Sequence, residues 1–305
     1  MKSFFVFSGQ GAQTVGMGRD LYESSAAAKD IFDQADTALG WSISAICFDG
    51  PAEKLTESKY CQPAIYTMSC AALAAFKEKF ADVEAIACAG LSLGEYAALY
   101  AGEAFSFADG LKLIARRGEL MDAACNETSG GMASVLGGDA DIIKEVCAEC
   151  DIQIANFNSP GQIVISGEKN KVSAAVAELK ARGMRKVIPL KVAGAFHSKL
   201  MATAGAQLDE VLASTTMGMP KTPVYQNFTA AVAGSVEELR ANLKAQVAGS
   251  VRWEECVRQM IAKGGDTMIE FGPGNVLTGL LRRTDKEIKY FNVNSIESLN
   301  NLEIS

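Results

Sequence analysis

The chain has 305 residues, 49% of them hydrophobic and 21% charged, which is the composition of a globular protein that can bury one large core or two smaller ones. Its net charge of −7 argues against nucleic acid as a partner and provides no polybasic patch for a membrane surface. The first apolar run is too short for a signal peptide and no run reaches the length of a membrane span, so we expect a cytoplasmic protein with no membrane partner. The eight cysteines have no disulfide-like or zinc-like spacing and are expected to be reduced.

The first predicted element is a short buried strand, Phe4–Phe7, followed directly by a glycine-rich loop from Ser8 to Gln13. A loop of this kind after a strand suggests the dinucleotide fingerprint G-x-G-x-x-G. Here the sixth position is Thr14, and no second strand ends in an acidic residue about twenty positions further on. We therefore reject dinucleotide binding and keep the other role of such loops, in which backbone N–H groups hold an anion.

Helical patterns follow over residues 21–39 and 64–80, and a longer helix is predicted from the capping pattern Ser106–Asp109 to about Ala124. On this last helix Arg117 falls at the edge of the apolar stripe, whereas Arg116 lies opposite it. A charge at a buried boundary usually has a partner, which is either another protein group or a ligand.

Between these helices lies a candidate nucleophile. A small apolar strand, Ala85–Gly90, runs into the pattern G-x-S-x-G around Ser92 and then into a run of helix formers. This strand, sharp turn and helix is the context in which a serine is lifted out of a sheet for attack, with the helix N-terminus aimed at the developing negative charge. Gly90 and Gly94 suit a turn too tight for side chains. The alternative is an ordinary strand–helix junction with a chance pair of glycines.

The pattern changes at Asn126. Residues 126–194 show the order strand, helix, strand, strand, helix, strand, which is the ferredoxin-like βαββαβ unit. Its second helix is predicted over residues 169–181 and its last strand over residues 186–192. Strands predicted over residues 222–227, 267–271 and 289–293 then alternate with helices, one of them over residues 253–262, and this alternation implies a mainly parallel sheet. We therefore predict an α/β fold, with an α/β-hydrolase-like large domain made of residues 1–125 and 195–305 and an inserted ferredoxin-like small domain made of residues 126–194.

A serine nucleophile needs a base, and the chain contains a single histidine, His197, placed where the inserted unit returns to the large domain. Clefts commonly form at such a seam, and imidazole already titrates near neutral pH. The sequence does not single out an acid to complete a triad, since Asp139, Asp141 and Asp151 all lie in the inserted unit. A backbone carbonyl is the alternative group for orienting the imidazole.

Several further segments resemble, in the same order, the malonyl-CoA:acyl carrier protein transacylases, the stand-alone acyltransferases of type II fatty acid synthesis. The matching segments run nearly end to end: Phe5–Met17, Gln62–Ala64, Leu91–Tyr96, Arg117–Gly118, Asn156–Gln162, Phe196–His197 and Gly272–Gly279. Ordered motifs of this number are far more specific than the serine turn alone.

The resemblance implies a covalent, two-step transfer. Ser92 attacks the malonyl thioester while His197 takes its proton, and the Arg117 guanidinium binds the free malonyl carboxylate with two hydrogen bonds. The phosphopantetheine thiol of acyl carrier protein then attacks the malonyl-serine ester. Malonyl-CoA and acyl carrier protein are thus the implied partners, with no permanently bound cofactor and no metal.

The same resemblance assigns the remaining site residues. The backbone N–H groups of Gln10 and Leu93 form the oxyanion hole, and the main-chain carbonyl of Gln246 orients the imidazole in place of an acid. Phe196 fills the space that an α-methyl branch on the acyl group would need. A fork of donors such as that of Arg117 suits a planar carboxylate better than a lysine does.

Two positions depart from the usual pattern of these enzymes, and neither handles a proton or a charge. Leu91 stands where they have histidine, and Ser8 stands where they have proline. Two other functions remain open: a serine esterase or thioesterase that uses the same Ser–His pair, and a non-catalytic partner of acyl carrier proteins. Because carrier proteins of this pathway are acidic, we also expect a basic docking face near the cleft, for which the candidates are Lys186, Lys191, Arg282 and Arg283.

Overall fold

The computed structural model describes residues 1–304, which form ten strands and fourteen α-helices. The strands are β1 (Ser3–Phe7), β2 (Ala85–Gly90), β3 (Gly130–Leu136), β4 (Gln153–Ser159), β5 (Gln162–Glu168), β6 (Lys186–Pro189), β7 (Tyr225–Gln226), β8 (Ala231–Val232), β9 (Thr267–Phe271) and β10 (Lys289–Val293). The helices are α1 (Arg19–Ser24), α2 (Ala26–Leu39), α3 (Ile43–Asp49), α4 (Ala52–Thr56), α5 (Ser58–Lys79), α6 (Gly94–Ala101), α7 (Phe107–Glu127), α8 (Ala140–Glu149), α9 (Lys169–Ala181), α10 (Ala202–Ser214), α11 (Val236–Ala248), α12 (Trp253–Ala262), α13 (Val276–Thr284) and α14 (Ile296–Asn300).

The larger sheet is parallel throughout and has the strand order β10-β9-β1-β2. Its central strand β1 is fully buried, as its uninterrupted apolar sequence predicts. One face packs on an aromatic cluster in which the ring centroids of Phe5 and Phe271 are 5.0 Å apart and those of Phe76 and Phe271 are 5.2 Å apart. The predicted α/β fold with a mainly parallel sheet is confirmed.

The second sheet is antiparallel and is formed entirely by residues of the inserted segment, in the strand order β4-β5-β3-β6. Its strands and helices follow one another as β3, α8, β4, β5, α9 and β6. The core of this unit is a separate apolar cluster that includes Ile143, Ile165 and Leu179. The strand predicted over residues 186–192 is shorter than expected and ends at Pro189, because the chain makes one more bond, from Leu190 N to Met132 O, and then leaves the sheet.

Two other sequence predictions are corrected. The helix expected over residues 21–39 is two helices, because Ser25 adopts an extended conformation and its side chain caps α2 by accepting a hydrogen bond from Ala28 N. The strand expected over residues 222–227 is only two residues long. Pro223 lacks an N–H and therefore cannot donate to a ladder there, and the segment meets the large sheet only through a single bridge between Val224 and Cys88.

The two units meet along β4, which contacts α12 and α13 and also bonds to the chain beyond α11. Phe157 N donates to Val251 O at 2.9 Å, and Val251 N donates to Ala155 O at 2.8 Å. These main-chain bonds fix one wall of the cleft described below. Among residues 1–304, no helix is both long enough and apolar enough to cross a membrane.

Candidate active site

The turn around Ser92 is held in a strained conformation by the glycines on either side. Ser92 has φ 55°, in the left-handed region that non-glycine residues rarely adopt. A Cβ on Gly90 would lie 2.0 Å from Gly94 C, and one on Gly94 would lie 2.3 Å from Phe7 O. A side chain at either glycine would therefore collide with the backbone, as the sequence predicts. The turn lifts the Ser92 side chain into the cleft ahead of α6.

Ser92 and His197 meet across the seam between the two units, although 105 residues separate them. Ser92 Oγ lies 2.8 Å from His197 Nε2, and His197 Nδ1 lies 2.8 Å from the main-chain oxygen of Gln246. A carbonyl can only accept, so Nδ1 carries the proton and Nε2 is free to accept one from Ser92. The orienting group is thus a backbone carbonyl, one of the two alternatives that the sequence left open.

His197 is almost completely buried, and burial is the main reason why its pKa is lowered to about 4. The positive charge of Arg117 lowers this pKa further, while the hydrogen bond to Gln246 O acts in the opposite direction. The imidazole is therefore neutral at physiological pH and ready to take a proton.

Arg117 is also buried, on the face of α7 that points into the cleft. Its guanidinium donates to Gln62 Oε1 at 2.6 Å, to Gln246 Oε1 at 3.0 Å and to Ser92 Oγ at 3.0 Å. The guanidinium carbon also lies 5.6 Å from the centre of the Tyr96 ring. Arg117 forms no ion pair with the carboxylates of residues 1–304, and its Nε has no hydrogen-bond partner among them. A buried cation of this kind, beside a nucleophile, offers a site for an anionic group.

A hydrogen-bonded group behind the turn fixes these side chains. Ser92 N donates to Asn227 Oδ1 at 2.6 Å, and Asn227 Nδ2 donates to Gly90 O at 2.8 Å. Gln246 Nε2 donates both to Ser92 O at 3.1 Å and to Glu95 Oε2 at 2.7 Å. The turn is thus tied to α11 and to the segment after β7 rather than only to its own sheet.

Two backbone N–H groups near Ser92 remain free. Neither Gln10 N nor Leu93 N donates a hydrogen bond to another residue of the described chain. Leu93 directly precedes α6, so its N–H belongs to the positive end of that helix. Gln10 belongs to the glycine-rich loop and lines the cleft. Free donors next to a nucleophile are the groups that can stabilise an oxyanion.

The two departures from the usual pattern have visible packing roles. Ser8 N donates to Phe271 O at 3.1 Å, a bond that a proline could not make, and Ser8 Oγ donates to Pro273 O at 3.0 Å. Leu91 is half-buried in the cleft wall, where its side chain fits against Gly9: a Cβ on Gly9 would come within 3.2 Å of it. Both positions join the glycine-rich loop to neighbouring segments without adding a titratable group.

The cleft has a volume of about 680 Å³, enough for an extended acyl thioester arm, and both units contribute to its walls. Phe196, which is 8% exposed, forms part of the wall next to His197. Asn158 lies on the opposite unit, and its buried Oδ1 has no partner among residues 1–304. No group of three or more His, Cys, Asp or Glu within the described residues is arranged to hold a metal ion.

The four basic candidates lie in three places. Lys191 lines the cleft itself. Lys186 and Arg283 line a second depression of about 560 Å³ together with Arg185. Arg282 lies over the ring of Tyr290, 6.0 Å from its centre. Within residues 1–304, none of the four candidates has a carboxylate within 4.0 Å.

No role is predicted from the sequence for Glu95, Asn227 or Gln62. Gln62 and Glu95 lie inside the quoted motifs, and an acidic side chain in the otherwise apolar start of α6 was a usable signal for burial. Asn227 gave no such signal, because its contact with Ser92 joins residues 135 positions apart.

The chain is similar to known proteins both in sequence and in structure. The family model described as the acyl transferase domain matches residues 4–301. A malonyl CoA-acyl carrier protein transacylase of Bacillus subtilis is 41% identical over 303 residues, covering 98% of this chain and 95% of the relative. The crystal structure of an acyl-carrier-protein S-malonyltransferase from Bartonella henselae is similar with a TM-score of 0.94 at 37% identity, covering 98% of each chain.

A solved complex of a malonyl-transacylase with its type II polyketide acyl-carrier protein is also similar, with a TM-score of 0.95 at 35% identity and 98% coverage of each chain. The serine turn, the buried arginine and the near end-to-end similarity therefore lead to one conclusion: this chain belongs to the acyl transferase domain family, among the malonyl CoA-acyl carrier protein transacylases.

Proposed function

We propose that this protein transfers a malonyl group from coenzyme A to the phosphopantetheine thiol of acyl carrier protein, supplying extender units for fatty acid synthesis. The observation that carries this proposal is the position of Arg117, a buried cation with only neutral partners whose guanidinium lies 3.0 Å from Ser92 Oγ. A carboxylate on the acyl group would give Arg117 the partner it lacks. Each charge-assisted hydrogen bond of this kind is worth about 1.5–3 kcal/mol, so two of them favour malonyl over acetyl by several orders of magnitude.

In the first half-reaction Ser92 Oγ attacks the thioester carbonyl as its proton passes to His197 Nε2. The negative charge that develops on the carbonyl oxygen is stabilised by the N–H groups of Gln10 and Leu93. The intermediate then collapses with cleavage of the C–S bond, and His197 returns the proton to the departing coenzyme A sulfur. The product is malonyl-Ser92 with His197 neutral again.

In the second half-reaction the thiol of the carrier arm takes the place of coenzyme A. His197 removes the thiol proton, the sulfur attacks the malonyl ester, and the C–O bond to Ser92 breaks. The same proton returns to Ser92 Oγ. Arg117 holds the malonyl carboxylate throughout, and Phe196 occupies the space into which an α-methyl branch would project.

We propose the finer description of the fold on the same footing. Residues 1–125 and 195–305 form an α/β-hydrolase-like domain, which is supported by the parallel sheet and by a nucleophile between β2 and α6. Residues 126–194 form a ferredoxin-like domain, which is supported by the strand order β4-β5-β3-β6 and by the helices α8 and α9 on one face.

We also propose a cytoplasmic location, since all eight cysteines are free thiols, as in a reducing compartment.

The decisive experiment is incubation of the protein with radiolabelled malonyl-CoA, followed by digestion and mapping of the label. We expect the label on Ser92 and its release to carrier protein when the thiol is added. Ser92→Ala should abolish labelling, whereas Ser166→Ala, which removes a buried hydroxyl from the other sheet, should not. Malonyl transfer by Ser92→Ala would contradict the proposal.

The same labelled protein separates transfer from hydrolysis. A transacylase keeps its malonyl ester until a thiol acceptor arrives, whereas a serine esterase or thioesterase loses it to water. We expect the label to persist without acceptor and to move to the carrier in a single turnover once the carrier thiol is added. Rapid loss to free malonate in buffer alone would favour the hydrolase.

A further inference from the structure

Glu95 is a fully buried carboxylate directly behind the nucleophile, and the catalytic steps above give it no role. Its Oε2 accepts hydrogen bonds from Asn227 N and Gln246 Nε2, both at 2.7 Å, and its Oε1 accepts one from Gln226 Nε2 at 3.1 Å. All three partners are donors, an arrangement that favours the ionised carboxylate. Burial raises the pKa of this carboxyl, and these hydrogen bonds and the charge of Arg117 oppose that effect.

The contact with Gln246 settles which way that side-chain amide faces. The two hydrogens of Nε2 are used by Glu95 Oε2 and Ser92 O, at 2.7 Å and 3.1 Å. The amide oxygen must therefore face the other way, where it accepts from Arg117 at 3.0 Å. With the amide reversed, an N–H would face the guanidinium and two acceptors would face the amide oxygen.

The spacing also determines what Arg117 can bind. An amide group stands between Glu95 and Arg117, so the negative charge stabilises the buried cation from a distance without forming an ion pair with it. A direct ion pair would occupy the guanidinium and compete with an incoming carboxylate. Complete absence of negative charge would leave a buried cation uncompensated.

We propose that Glu95 is a positioning residue for acyl-group selection: it fixes the Gln246 amide so that Arg117 is held next to Ser92, charged and not ion-paired, for the substrate carboxylate. The inference rests on the proposed malonyl transfer. It assigns Glu95 a part in the choice of acyl group, beyond its contribution to the stability of the turn.

The test compares Glu95→Gln with a matched control in the same domain, Glu270→Gln. Glu270 is also a buried carboxylate and accepts from Leu277 N, Thr278 N, Thr278 Oγ1 and Asn292 Nδ2, but it belongs to β9 and its side chain faces the N-terminal end of α13, outside the catalytic group. For each variant one measures the melting temperature and the rate constants for acylation of Ser92 by malonyl-CoA and by acetyl-CoA.

We expect Glu95→Gln to lower kcat/KM for malonyl-CoA by about 10- to 100-fold, which is the change in rate that the loss of one charge-assisted hydrogen bond produces. The decrease in kcat/KM for acetyl-CoA should be much smaller. The malonyl-to-acetyl ratio therefore falls. Glu270→Gln should lower the melting temperature and leave the ratio unchanged. A Glu95→Gln protein that loses both activities in parallel, with an unchanged ratio, would overturn the inference.

A second variant covers the case in which Glu95→Gln folds poorly. Gln246→Met removes the side-chain amide but keeps the main-chain carbonyl that orients His197. It should reduce the same ratio, and the two substitutions together should not be additive because they act through one contact. An unchanged ratio in Gln246→Met would also contradict the inference. The proposed function fails separately, if the unaltered protein forms no malonyl-Ser92.

Discussion

At the scale of single residues, the unusual feature is a histidine that resists protonation. His197 is buried beside a cation, and these two causes lower its pKa to about 4. The substrate changes one of them. A bound malonyl carboxylate offsets the charge of Arg117, so the pKa of His197 should be higher in the substrate complex than in the free enzyme.

The pH dependence of acylation follows from this difference. The rising limb of kcat/KM for malonyl-CoA reports free His197 and should lie well below pH 6.5, whereas the limb of kcat reports the complex and should lie higher. Rapid-quench labelling of Ser92 between pH 3 and pH 8 measures both. A kcat/KM limb near pH 6.5 would contradict the buried, neutral imidazole.

The lowered pKa of His197 also makes the free energy of unfolding depend on pH. Between about pH 4 and pH 6.5 the unfolded chain binds a proton at His197 that the folded protein does not bind. The contribution of this residue to the free energy of unfolding therefore falls as the pH drops through that window, and it is constant above it.

The sequence was enough to predict the proposed reacting residues, but not the groups that hold them in place. Ser92 is marked by its glycines, His197 by being the only histidine, and Arg117 by its place on a helical stripe. Glu95 and Asn227 act through partners more than 130 positions away, and local periodicity carries no information on such contacts. The contacts of these two residues are seen only in the three-dimensional structure.

At the scale of elements, the junction of β2 and α6 is the most tightly packed place in the site. Gly90→Ala would put a methyl group 2.0 Å from Gly94 C, where backbone must move. We expect a loss of at least about 3 kcal/mol in the free energy of unfolding, the upper end for overpacking, together with loss of acylation. Urea unfolding and Ser92 labelling measure the two effects.

The matched control is Gly279→Ala in α13, where a Cβ would have nothing within 4 Å. This substitution should stabilise the protein by about 0.5–1 kcal/mol, since alanine is the better helix former, and leave acylation unchanged. Equal effects of the two substitutions would show that the close approach at the junction is not what demands glycine.

Strong local patterns predicted elements well. The bounds of α9, α12, β9 and β10 agree with the sequence prediction. Helix α10 (Ala202–Ser214) was not predicted, since Gly205 weakens its pattern; that glycine packs close to α11, where a Cβ would lie 3.3 Å from Lys244 O. Tertiary packing rather than propensity explains this helix. Strand order was also beyond the sequence, because periodicity does not say which strands are neighbours.

At the scale of the whole molecule, the proposed function requires an acidic enzyme to bind a carrier protein that the family resemblance implies is also acidic. The net charge is −7, yet Lys191 lies in the cleft and Arg185, Lys186 and Arg283 surround the second depression without ion pairs in the described chain. We propose this basic face as the carrier docking site, since local complementarity can outweigh repulsion between net charges.

Charge reversal tests this surface. Lys191→Glu and Arg283→Glu should each raise KM for the carrier about two- to fivefold at low salt and change KM for malonyl-CoA much less. Lys112→Glu, at an exposed position that lines neither cavity, is the control and should change neither constant. Equal increases for both substrates would place the effect on the shared arm rather than on the carrier.

Gln246 divides two tasks between different parts of one residue. Its main-chain oxygen orients His197, and its side chain holds Arg117. No substitution at this position can delete the oxygen, whereas any substitution alters the amide. Substitutions at this position therefore keep the carbonyl that orients His197, whereas they can change the preference for the acyl group. A descendant of this protein could acquire a new extender unit through changes at residue 246 and still inherit a working nucleophile.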